Sequence, residues 1–138
     1  NLFHAFSPMD APVKLQFALE PVSVSVNQAI PCALILNELV TNALQHGFPN
    51  GRGGTVAISL HAGPAGQARL TVRDDGVGLP QALDFAGAVS LGLQLVNTLA
   101  RQIRGTLELD RAGGTSVTLT IPPLLKPERH DGENLALP

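Results

Sequence analysis

Apolar and polar positions change their period several times along the chain, and each change marks an element. Residues 14–20, KLQFALE, alternate, which is the pattern of a half-buried strand. VSVSV at 22–26 alternates again after Pro21 and reads as a second strand. IPCALILNELVTNALQH at 30–46 is apolar at helical spacing, with Asn27 as its expected cap, Pro31 in the first turn, and Gly47 and Pro49 as its stop. GFPNGRGG at 47–54 is a turn cluster. TVAISLH at 55–61 and ARLTVRDD at 68–75 flank a GPAG turn as hairpin partners. Residues 79–90 have weak periodicity and many small side chains, which predicts a mobile loop. Apolar residues at 91, 95, 96, 99 and 103 then predict a helix that Gly105 ends. TLELD at 106–110 and TSVTLTIP at 115–122 alternate around an RAGG turn. Strands outnumber helices and come in hairpin-like pairs. The expected fold is α/β of the α+β kind, a mixed and mostly antiparallel sheet with helices on one face.

Composition narrows the function classes. A chain of 138 residues with 44% hydrophobic and 14% charged residues can build one core and is not globally disordered. With five Phe and no Trp or Tyr, it has few stacking platforms for single-stranded nucleic acid. Its nine basic residues are scattered at a net charge of −2, so neither nucleic acid nor direct membrane contact is expected. The single cysteine, Cys32, excludes an intrachain disulfide and reads as a small buried hydrophobe. The chain opens at Asn1 rather than Met, as a piece of something longer would. Residues 1–12 are expected to be a lead-in, 13–122 the folded domain, and 123–138 a flexible tail.

Four segments carry candidate chemistry. Glu38 and Asn42 stand four apart, which stacks a carboxylate and an amide oxygen on one helix face. Those groups suit magnesium, which takes few protein ligands, and the carboxylate could also act as a base. A solvated polar stripe would look the same. His46 extends the line to the helix end, where it complements the dipole. In DDGVGLP, Asp74 ends a strand and can accept from an exocyclic amine, while Gly76 and Gly78 let the chain pass close to a ring; an Asp-Gly hairpin turn would read alike. In SLGLQLV, residues 90–96, Gly92 at a helix start exposes N–H groups to an anion, or Ser90 simply caps the helix. The fourth is GGTSVTLTIP at 113–122. No Walker-type phosphate loop, G-x-G-x-x-G, H-E-x-x-H or G-x-S-x-G is present.

In this order, NELVTNALQH, DDGVGLP, SLGLQLV and GGTSVTLTIP resemble the ATP-binding catalytic domain of bacterial sensor histidine kinases, close to the HWE-like subfamily, within the superfamily shared with gyrase, Hsp90 and MutL. The resemblance implies a two-layer sandwich, the Bergerat ATP-binding fold, with ATP between the helical layer and a lid. It implies that Asn42 chelates magnesium, and that Glu38 is a second metal ligand or the catalytic carboxylate. Asp74 matches the adenine-binding aspartate, and Gly76 and Gly78 its glycines. Ser90, Leu91, Gly92 and Leu93 match the second glycine box, with Ser90 in place of its first glycine. Thr115 matches the Gly-Thr element beneath the nucleotide, and His46 belongs to the same cofactor-binding set. Gln45 departs from the family, which often has a phosphate-contacting Lys there.

The implied activity is transfer of the ATP γ-phosphoryl group to a histidine on a separate, upstream dimerisation domain, and from there to a response-regulator receiver domain. The isolated domain is expected to be monomeric and cytoplasmic. An anti-sigma-factor-type serine kinase and a non-catalytic ATP-binding regulator share enough of the pattern to stand as alternatives.

Overall fold

Alternation along the strands resolves into one shared inward face. Val56 and Ile58, Ala68, Leu70 and Val72, and Val117, Leu119 and Ile121 are all buried. The residues between them face the other way, where the Thr71 and Thr118 hydroxyls meet across the strands at 3.1 Å. These positions belong to a computed structural model that describes residues 12–77 and 91–123. In chain order its elements are β1 (Val13–Leu19), α1 (Val26–His46), β2 (Gly54–Ala62), β3 (Ala68–Asp74), α2 (Leu91–Gln102), β4 (Thr106–Asp110) and β5 (Thr115–Ile121). The five strands form one sheet in the order β1-β2-β3-β5-β4. β1 and β2 run parallel because α1 carries the chain back between them, and the other pairs are antiparallel.

Both helices cover the inward face. α1 contributes Ile35, Leu39, Val40 and Ala43, and α2 contributes Val96, Leu99 and Ala100, with Ile103 just beyond it. Ile35 and Val96 are completely buried. Each large aliphatic side chain buried in this way contributes about 1.5–3 kcal/mol of apolar transfer. The result is the expected two-layer arrangement, a mixed, mostly antiparallel sheet with helices on one side. Cys32 packs against this core half-buried, and burial pushes its thiol above the ordinary value.

The run before α1 differs from its sequence expectation. VSVSV at 22–26 is not a strand: the last ladder bond before α1 is Glu20 N–H to Leu60 C=O. The alternation is real, since Val22 and Val24 pack toward the core, but Ser25 ends the run by capping α1. Its hydroxyl accepts the Gln28 N–H at 3.2 Å, and the Gln28 side chain accepts the Ser25 N–H at 3.0 Å, a reciprocal capping box. Asn27 is therefore inside α1, and Pro31 is the helix's sixth residue, in the second turn. Proline has no N–H there for the Asn27 carbonyl, a fault the tertiary packing of α1 tolerates.

α2 ends before Gly105 as expected, and the left-handed residue of the closure is Arg104, φ 58°. Gly105 N–H reaches Ala100 C=O at 2.8 Å and Arg104 N–H reaches Arg101 C=O at 3.0 Å, a Schellman closure. Gly105 is needed for proximity instead: a β-carbon there would lie 2.9 Å from Leu119 Cδ1. The expected loop at 79–90, lead-in and tail lie outside the described residues, apart from Pro12 and Pro123 at their edges.

Candidate functional site

The C-terminal half of α1, the end of β3, the start of β5 and the first turn of α2 converge on one cleft. Its volume is about 410 Å³, counting the part open to solvent. Leu39, Asn42, Ala43 and His46 line it from α1. Their spacing of three and four places them on a single helix face. Asp74 and Thr115 come from paired positions of β3 and β5 and are only 5% and 6% exposed. Val72, Val117 and Leu93 make the rest of the wall apolar.

Asp74 is the buried acid of the site. Its Oδ1 accepts the Gly76 N–H at 2.9 Å, and a backbone hydrogen bond from Thr115 also supports the carboxylate. Burial dominates all the same and holds its carboxyl above the ordinary value, with Asp75 pushing the same way and the two backbone donors and Arg73 opposing. A carboxylate in an apolar cleft has acceptor lone pairs to offer an amine that enters it.

Glycines let the surrounding backbone close up. A β-carbon at Gly76 would overlap the Gly47 carbonyl, and one at Gly114, φ 128°, would overlap that of Asp74. Val77 N–H donates to Gly47 C=O at 2.8 Å and ties the end of β3 to the end of α1. Gly47, expected only as a helix stop, also lines the cleft. Arg52 and Asp75 join the same seam from outside the cleft lining, and the glycine density of 47–54 is the one signal in the sequence that another backbone passes there.

The candidate residues divide as follows. Asn42, His46, Asp74, Leu93 and Thr115 share the cleft. Gly76 adjoins it through Asp74. Glu38, one turn before Asn42, is not among the lining residues; its carboxylate lies against Gly92 in the first turn of α2. Leu91 opens α2. Gly78 and Ser90 lie outside the described residues. Among the described residues no cluster of three His, Cys, Asp or Glu exists, so a cage built wholly from protein ligands is not formed there. Asn42 offers the cleft one amide oxygen, within the small protein share that magnesium accepts, while the Glu38 carboxylate stands one turn away against Gly92.

Comparison with known proteins agrees with this geometry. Residues 27–125 match the family described as histidine kinase-, DNA gyrase B-, and HSP90-like ATPase. The chain is 34% identical over 111 residues to blue-light-activated histidine kinase 2 of Erythrobacter litoralis, which covers 80% of this chain and 32% of that protein. It is 33% identical over 118 residues to the sensor histidine kinase PdtaS of Mycobacterium tuberculosis, covering 83% of this chain and 23% of that one. The chain thus spans a third or less of these relatives. Among solved structures, the histidine kinase domain of the E. litoralis blue-light-activated kinase EL346 superposes with a TM-score of 0.74 at 33% identity, over 80% of this chain and 51% of that one. Among the described residues no helix is long and apolar enough to cross a membrane. With the family match over most of its length and the same fold in a solved kinase domain, this chain belongs to the histidine kinase-, DNA gyrase B- and HSP90-like ATPase family, as an ATP-binding domain of the sensor histidine kinase type.

Proposed function

We propose that the cleft binds ATP with magnesium, and that the domain passes the γ-phosphoryl group to a histidine on a separate dimerisation domain of the same protein. That phosphohistidine then serves the receiver domain of a response regulator in the cytoplasm. The observation that carries the reading is Asp74: a buried carboxylate in a largely apolar cleft that Asn42 and His46 of α1 also line.

Asp74 accepts the adenine amine, and Val72, Val117 and Leu93 exclude water around the ring. Thr115 and the tight Gly76 turn hold the Asp74 carboxylate in place. Asn42 and Glu38 would hold the magnesium ion, which when bound neutralises phosphate charge. Glu38 is also the candidate catalytic carboxylate. In the transfer the bond from the γ-phosphorus to the bridging oxygen breaks, one from phosphorus to an imidazole nitrogen forms, and ADP leaves. The protein's part in such a reaction is mostly positioning and charge neutralisation.

The test is calorimetry with a non-hydrolysable ATP analogue, with and without magnesium. Binding that Asn42→Ala abolishes in its magnesium-dependent part supports the proposal, and a folded domain that binds no nucleotide overturns it. Labelled ATP added with the dimerisation domain should yield phosphohistidine.

A further inference from the structure

The residue after the buried acid makes contacts that the nucleotide reading leaves unused. Asp75 is solvent-exposed, yet it is held on three sides. Its Oδ1 accepts the Thr55 N–H at 2.8 Å. Its own N–H donates to the Thr55 carbonyl at 3.2 Å. Its carbonyl accepts Nη2 of Arg52 at 2.9 Å. Gly54 has no β-carbon because one would overlap both the Asp75 carboxylate and the Phe48 ring. The segment leaving α1 is therefore closed onto the segment leaving β3, and Val77 N–H on Gly47 C=O completes the seam at 2.8 Å.

This seam bears directly on the direction of Asp74. The Asp74 carboxylate is oriented by the Gly76 N–H, so the turn over residues 74–76 sets its aim. Asp75 is the middle of that turn, and its side chain accepts a hydrogen bond from the other segment. A buried acceptor that must meet one amine depends on angle as much as on distance, since hydrogen bonds weaken steeply off axis.

We infer that Asp75 is a positioning residue for adenine recognition: by accepting the Thr55 N–H across the turn, its side chain holds the Asp74 carboxylate in line with the exocyclic amine without touching the nucleotide. The inference rests on the nucleotide reading above. Because Asp75 and Arg52 are exposed, their bonds contribute little to the fold, and removing them should disturb aim rather than folding.

The readout is discrimination between an ATP analogue and the matching inosine analogue, which has a carbonyl in place of the amine. Both are titrated with magnesium into the 138-residue chain by calorimetry, with circular dichroism to establish folding. In the unaltered chain adenine should be preferred. Asp75→Ala should reduce that preference about ten-fold, the scale of one well-made hydrogen bond, and should leave inosine affinity within about two-fold. Asp75→Asn keeps an oxygen for the Thr55 N–H and should restore the preference. Arg52→Ala should lower it in the same direction by a smaller factor. Equal loss for both nucleotides, or an unchanged ratio in Asp75→Ala, overturns the inference while the nucleotide site stands. Absence of binding in the unaltered chain overturns the nucleotide reading and this inference together.

Discussion

The Glu38 carboxylate lies against the backbone of Gly92, so α1 and the first turn of α2 meet through a glycine. A β-carbon at 92 would overlap that carboxylate. Gly92→Ala should therefore push the flexible end of the partly exposed Glu38 side chain aside, at a cost of about 0.5–1.5 kcal/mol, the scale of a displaced rotamer. In a Glu38→Ala background the obstacle is gone, and the better helix propensity of alanine remains. There the same substitution should be neutral or stabilising by up to about 1 kcal/mol. Chemical denaturation of the two single variants and the double variant measures the coupling. Additive effects would show that the two residues do not press on each other.

Asp74 should oppose stability and serve binding, with opposite signs in pH. Its carboxyl is raised above its ordinary 3.8, chiefly by burial. Between the two values the folded state holds more proton than the unfolded one. Its favourable contribution is thus complete below 3.8 and is lost as pH rises through the folded value. Relative to Asp74→Asn, which cannot titrate, the unaltered chain should lose melting temperature as pH rises through that window and then level off. Adenine affinity should move the other way and weaken as acid protonates the acceptor. At neutral pH Asp74→Asn should weaken adenine binding by roughly 1–3 kcal/mol, the cost of an unsatisfied buried group. Parallel melting curves at every pH would contradict this account.

Legibility in the sequence follows the range of the interactions. The β2–β3 and β4–β5 hairpins are readable because alternation and turn residues are adjacent. Asp74, Gly76 and Asn42 are readable because their chemistry sits in short runs. The parallel β1–β2 pairing is not, since Val13 meets Gly54 only after α1 has brought the chain back. VSVSV shows why alternation alone misleads: two inward valines satisfy the same pattern without a neighbouring strand, and Ser25 and Gln28 prefer the cap. The Glu38–Gly92 and Gly47–Gly76 approaches depend on how separate elements pack, and no local spacing encodes them.

Two turns of one shape carry different residues. Asn50 and Gly51 have φ of 59° and 75°, closed by Arg52 N–H to Pro49 C=O at 3.1 Å. Ala65 and Gly66 have φ of 57° and 80°, closed by Gln67 N–H to Pro64 C=O at 3.1 Å. Both resemble the type I′ turn, whose favoured pair is Asn-Gly. Alanine gains nothing in the left-handed region, whereas asparagine tolerates it. Ala65→Asn should raise stability by about 0.5–1 kcal/mol, with no change in nucleotide affinity because the turn joins β2 to β3 away from the cleft. A denaturation midpoint at or below that of the unaltered chain would refute it.

Arg104 poses the same question at the end of α2. It occupies the left-handed position of the Schellman closure at φ 58°, where glycine has no steric penalty. Glycine also frees the unfolded chain, which offsets part of the gain. Arg104→Gly should thus stabilise by only about 0.5–1 kcal/mol. Gly105→Ala should do the reverse, because its β-carbon would press on Leu119 Cδ1 at 2.9 Å and the Thr120 carbonyl at 3.1 Å. Leu119 is fully buried and has little room to give, so a loss of roughly 1–3 kcal/mol is expected. Moving the glycine one position, as Arg104→Gly with Gly105→Arg, should still leave the chain less stable than the unaltered one. The helix would keep its cap and still lose its approach to β5. Urea midpoints of the three variants give the order directly, and a swap as stable as the unaltered chain would show that proximity to β5 is not why Gly105 is there.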